Sequence, residues 1–103
     1  MLLGLGEDGH TASLFPGSPA LRERRRWVTA IEQAAQEPYV PRITLTLPAL
    51  QSAREVLFLV SGATKQRAMA RVLAGDDVPA ARVRPIGRLR WFVDRAALPE
   101  NVP

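Results

Sequence analysis

Apolar and polar positions alternate along this chain in short blocks, and no single stripe runs its length. Leu2, Leu3 and Leu5 make a brief apolar run interrupted by Gly4, Gly6 and Gly9, which predicts the end of a buried strand followed by a tight glycine turn. Thr11 or Ser13 then predicts the start of a short helix that Pro16 and Gly17 stop. Leu21 to Arg26 reads as a polar surface turn or short helix, and Trp27 to Ile31 alternates as a strand does. Glu32 to Pro41 predicts a loop, in which Pro41 pushes Val40 toward extended backbone.

Arg42 to Leu47 is the clearest strand, with Ile43, Leu45 and Leu47 on one face and Arg42, Thr44 and Thr46 on the other. Pro48 opens a short helix to Arg54, and Glu55 to Val60 follows as an apolar strand without alternation. A strand of that kind is covered on both faces, as in a parallel sheet between helices. Ala63 to Ala74 predicts a helix closed by Gly75, Asp76 to Ile86 a loop, and Leu89 to Val93 a last strand. Asp94 is placed to cap Ala96 and Ala97. The order of elements predicts an α/β protein with helices against a largely parallel sheet.

Composition narrows the function classes. The chain has 103 residues, 47% of them hydrophobic, which is room for one small core. Cysteine is absent and histidine occurs once, which excludes disulfides, thiolate metal sites and a zinc site of the usual ligand count. The longest apolar run, Val56 to Val60, falls far short of the ~20 residues that cross a bilayer, so a cytoplasmic protein with no membrane partner is expected. The net charge of +4 and the cluster Arg22, Arg24, Arg25 and Arg26 raise the question of nucleic acid. Glu23 and Glu32 dilute that cluster and no aromatics interleave with it, so a solvated basic surface is expected and nucleic-acid binding is not.

Candidate chemistry gathers at few places. Gly4-Leu5-Gly6-Glu7-Asp8-Gly9 matches the dinucleotide pattern G-x-G-x-x-G, but Glu7 and Asp8 would repel a pyrophosphate, so a dinucleotide-binding domain is the lesser alternative. His10, the only histidine, sits in the same turn two residues after Asp8. An imidazole takes up a proton near neutral pH, and a neighbouring carboxylate fixes its tautomer, so His10 and Asp8 are the candidate catalytic pair. Lys65, the only lysine, lies in the first turn of the helix after the buried strand. A cation there opposes the helix dipole unless an anion lies between them, which makes Lys65 either an anion contact or a plain surface residue. Arg42 begins a strand and is either a second anion contact or the partner of a carboxylate at the sheet edge.

The segment Gly4 to Pro16, with Gly4, Gly6, Asp8, Gly9 and His10 followed by Thr11-Ala12-Ser13-Leu14-Phe15-Pro16, resembles the signature of the 6-phosphogluconolactonases, relatives of the glucosamine-6-phosphate deaminases and isomerases. The likeness continues through Pro41 to Pro48, Ser61 to Lys65 and Leu89 to Asp94. It covers almost the whole chain but only the C-terminal half of those enzymes. The resemblance therefore implies a single partial domain over residues 1–103, part of a three-layer, Rossmann-like sheet with flanking helices. It implies hydrolysis of a phosphosugar lactone, 6-phospho-D-glucono-1,5-lactone, with no cofactor and no metal. His10 would activate water, Lys65 would contact the substrate phosphate, and backbone N–H groups near Gly6, or residues outside this chain, would hold the oxyanion.

The deaminases carry a glutamate five residues after the histidine. This chain has Phe15 there, which cannot relay a proton, so the resemblance favours ester hydrolysis over sugar isomerisation. The serious alternative is a non-catalytic or incomplete remnant of the fold that needs its N-terminal half or associates with itself.

Overall fold

A computed structural model describes residues 1–100. In chain order its regular elements are β1 (Leu2–Leu3), β2 (Val28–Ile31), β3 (Arg42–Leu45), α1 (Leu47–Gln51), β4 (Glu55–Val60), α2 (Gln66–Leu73) and β5 (Arg88–Val93). Short 3-10 turns occupy Pro19–Arg22, Ala63–Lys65, Pro79–Arg82 and Arg95–Ala97. Strands β1, β4 and β5 form a parallel sheet in that order, with Leu3, Phe58 and Trp91 level across it. The Phe58 and Trp91 rings stack with centroids 3.9 Å apart, and this side of the sheet shares the core with Leu14, Leu50 and Met69.

The parallel sheet is narrower than the sequence suggests. Strands β2 and β3 stand apart from it as an antiparallel ribbon, Val28 opposite Leu45 and Ile31 opposite Arg42. The connection between them, residues 32–41, has no helix, and a parallel pairing would need a crossover of a dozen residues or more.

Burial along β4 also departs from the sequence reading. Val56, Phe58 and Val60 are buried, whereas Leu59 is 52% exposed. Leu2 and Phe92 are exposed beside it, so among the described residues the sheet is covered on one face only.

On β3 the polar face points inward. Thr44 and Thr46 are buried while Ile43 is 77% exposed. The hydroxyls explain this, because each threonine serves the backbone around it. The Thr44 hydroxyl accepts from the Ser13 N–H at 3.0 Å, and the Thr46 hydroxyl donates to the Arg26 carbonyl and caps α1 at the Ala49 N–H.

No helix starts at Thr11 or Ser13. Ala12 has φ +50°, a left-handed conformation that a right-handed helix cannot contain, and residues 11–17 run as turns with Leu14 and Phe15 buried. The stretch after Gly75, expected as a loop, contains the Pro79–Arg82 turn. Its residues Val78, Ala80 and Val83 are buried, and the Ala80 N–H donates to the Gly9 carbonyl at 3.0 Å. That bond ties the glycine turn to the body of the protein.

Candidate active site

Strand β1 delivers the chain into the turn Gly4 to His10 at the carboxyl end of the sheet, where α/β proteins hold their ligands. Two backbone bonds close the turn: the Gly6 N–H donates to the His10 carbonyl at 2.8 Å, and the Gly9 N–H to the Gly6 carbonyl at 2.9 Å. Two glycines in it are sterically required. Gly9 has φ +89°, and a Cβ on it would meet Val78 at 2.7 Å; a Cβ on Gly6 would lie 2.1 Å from the His10 ring. Gly6 therefore makes room for the imidazole. Its N–H, expected near the oxyanion, is engaged by the turn itself.

The turn brings Asp8 and His10 together. Asp8 Oδ1 accepts from His10 Nδ1 at 2.5 Å and from the His10 backbone N–H at 3.0 Å. An ionised carboxylate only accepts, so the proton of the neutral ring resides on Nδ1 and Nε2 keeps its lone pair. Partial burial works to raise the Asp8 pKa, but the hydrogen bonds and charge of His10, with a bond from the Gln36 side chain, outweigh it and hold Asp8 below the ordinary carboxylate value. Phe15 closes one side of the imidazole at 4.7 Å between centroids.

A cleft of about 380 Å³ opens beside the turn, lined by Gly4, Leu5, Gly6, His10, Thr11, Ala12 and Lys65. It unites the histidine and the lysine. Lys65 closes the 3-10 turn that leads into α2, its N–H donating to the Gly62 carbonyl, and among the described residues it has no carboxylate partner. Asp94 fixes this segment: it accepts from the Ser61 hydroxyl at 2.6 Å, the Gly62 N–H at 3.2 Å and the Ala97 N–H at 2.9 Å. The first two of those bonds hold its pKa down most strongly. The cap on Ala97 was legible in the sequence, while the tie to the Lys65 segment was not, because its partners lie more than thirty positions away.

Arg42 does not line the cleft. Its guanidinium donates to the carbonyls of Gln36 and Pro38 at 2.9 and 3.0 Å and lies 5.4 Å over the Phe15 ring. Sequence reasoning passed over two residues here. Gln36 looked like ordinary loop, and Thr11, read as a helix start, instead donates its hydroxyl to the Gly4 carbonyl at 2.8 Å.

The dinucleotide reading loses its structural context, since it needs a helix opening at the third glycine and turns follow instead. Among the described residues no three histidine, aspartate or glutamate side chains gather to hold a metal. Among the described residues no helix is long and apolar enough to cross a membrane. A slightly larger hollow of about 430 Å³, bordered by Val72, Asp77, Arg82 and Trp91, shares no residue with the cleft. Its rim charges Arg82 and Asp77 are already paired at 2.7 Å.

Known proteins resemble this chain in sequence and in fold. The family described as glucosamine-6-phosphate isomerases/6-phosphogluconolactonase matches residues 1–91. A 6-phosphogluconolactonase of Synechocystis is 45% identical over 94% of this chain and 40% of its own length, and one of Mycobacterium tuberculosis is 48% identical over 93% and 40%. The crystal structure of a 6-phosphogluconolactonase from Thermotoga maritima superposes with a TM-score of 0.78 at 37% identity, covering 89% of this chain and 41% of that one. The chain thus spans about two fifths of the length of the curated relatives it matches.

Proposed function

From the premise that this chain belongs to the glucosamine-6-phosphate isomerase/6-phosphogluconolactonase family, we propose that it carries the base and the phosphate contact of a 6-phosphogluconolactone hydrolase. The observation that carries the reading is one cleft holding His10, with Nδ1 tied to Asp8, and Lys65, which has no carboxylate partner among the described residues. Nε2 of His10 takes a proton from water, and the resulting hydroxide attacks the lactone carbonyl of 6-phosphoglucono-1,5-lactone. The tetrahedral oxyanion collapses, the ring oxygen leaves with the proton that His10 Nε2 gives back, and 6-phosphogluconate is released. Asp8 steadies the imidazolium formed in the first step. Lys65 holds the phosphate, so binding energy remote from the ester sets the carbonyl beside His10. Arg42 contributes from behind the site, through Phe15 and the 36–38 loop. Phe15 offers no proton relay, which suits hydrolysis better than isomerisation.

One observation favours a further condition on this activity. The bare face of the parallel sheet argues that the residues described here form part of a larger layered domain, and the rest of the pocket, including oxyanion donors, comes from additional polypeptide. The test is lactone opening above the spontaneous rate, measured on this chain alone and joined to the N-terminal region of the Synechocystis relative. The joined protein should turn over. His10→Ala in it should lower the rate by about 10² to 10⁴, and Lys65→Ala should weaken the phosphorylated lactone far more than the unphosphorylated one. Turnover unchanged in His10→Ala defeats the assignment.

A further inference from the structure

Asp8 has two carboxylate oxygens, and the histidine occupies only one of them. Oδ1 takes both bonds from His10, while Oδ2 accepts from Gln36 Nε2 at 3.1 Å. A carboxylate pinned at one oxygen still rotates about its last bond; pinned at both, its plane is set. Gln36 belongs to a stretch with no regular structure, so something else must hold it. That is Arg42, anchored at the start of β3 opposite Ile31, whose guanidinium bonds the carbonyls of both Gln36 and Pro38. The same guanidinium lies over Phe15, which walls the imidazole. Contacts therefore close a ring from Arg42 through Gln36, Asp8, His10 and Phe15 back to Arg42.

We infer that Gln36, held by Arg42, is a positioning residue that sets the plane of the Asp8 carboxylate and thereby keeps the His10 proton on Nδ1, with Nε2 free toward the cleft. Arg42 acts here through one guanidinium nitrogen, Nη2, whose two N–H groups reach the two carbonyls while the guanidinium lies over the aromatic ring. Gln36 acts by its amide N–H, the half of that group a carboxylate can accept from. The consequence for chemistry rests on the reading of His10 as the base; the arrangement of the proton does not.

The single histidine makes the experiment clean. This chain is labelled with 15N-histidine, alone or joined to unlabelled N-terminal polypeptide, and long-range 1H–15N spectra of the neutral ring report which nitrogen is protonated. The wild type should show mainly the Nδ1–H form. Gln36→Leu, which keeps the volume and the main-chain carbonyl but removes the donor, should shift the population toward Nε2–H. It should also move the Asp8 titration upward, because one of the bonds holding it down is gone. Arg42→Met, which keeps an unbranched stem but removes every donor to the Gln36 and Pro38 carbonyls, should shift the tautomer in the same direction.

Amide spectra of both variants monitor the fold. Where the joined protein hydrolyses the lactone, Gln36→Leu should lower kcat about three- to tenfold with KM near the wild-type value. A wild-type tautomer population in both variants overturns the inference. Absent hydrolysis in the wild type, with the tautomer shift present, overturns the proposed activity and leaves the positioning role standing.

Discussion

A lone histidine says little until its neighbours are known, and Asp8 is the neighbour that matters. That both residues share one tight turn was legible in the sequence, and the structure adds that the carboxylate and the ring touch. The consequence for stability follows from the direction of the Asp8 shift. Burial opposes ionisation there, yet the bonds from His10 and Gln36 prevail and the folded carboxyl titrates below its ordinary value of 3.8. A depressed acid stabilises the fold above the unfolded-state value and loses that contribution as pH falls through the folded one. Wild type should therefore exceed Asp8→Asn in urea midpoint at neutral pH, and the margin should shrink once the pH drops below about 4 and vanish beneath the folded value. A margin that persists into strong acid would show that Asp8 contributes only by its shape.

At the scale of elements, strand β3 teaches the most. Its alternation is plain in sequence, but alternation does not say which face turns inward. Counting apolar side chains would bury Ile43 and Leu45, yet the structure buries Thr44 and Thr46 because their hydroxyls pair with Ser13, Arg26 and Ala49. The expected outcome inverts the usual rule for core positions. Ile43→Ser should change stability by less than about 0.5 kcal/mol, as for an exposed site, while Thr44→Val, nearly equal in volume, should cost about 1 kcal/mol or more by leaving the Ser13 N–H without its acceptor. Urea titration of the two variants checks it, and a larger loss for Ile43→Ser would mean that the ribbon packs the other way round.

For the whole molecule, the uncovered surfaces decide behaviour in solution. Leu2, Leu59 and Phe92 line the bare side of the sheet, and Val28, Ile43 and Leu45 the outer side of the ribbon. Apolar surface of this extent draws further protein onto it. The 103-residue chain by itself should associate, with a sedimentation coefficient that rises with concentration and a broad thermal transition. Joining it to the N-terminal region of a relative should give a smaller range of species and a sharp transition. Replacing Leu59 and Phe92 together with lysine should shift the isolated chain toward monomer. A monodisperse, cooperatively melting monomer at all concentrations would show that these faces need no cover.

Sequence by itself determined the local decisions: the strand cores at Glu55 to Val60 and Leu89 to Val93, the cap at Asp94, and the glycine turn that holds Asp8 and His10 together in one loop. Each depends on residues within a few positions of one another, where chain geometry leaves few choices. Tertiary structure alone decided which face of β3 is buried, that β2 and β3 leave the parallel sheet, and that Lys65 shares a cleft with His10. It also turned Arg42 toward the 36–38 carbonyls and gave Gln36 its place on Asp8. Most of these contacts join distant stretches of chain, and the Arg42 bonds, though only four and six positions long, fall in a loop without regular structure; neither kind leaves a periodic mark in a sequence. The bare sheet face is the intermediate case. An unbroken apolar strand announces that two covers are required, and only the folded arrangement reveals that one of them is absent among the described residues.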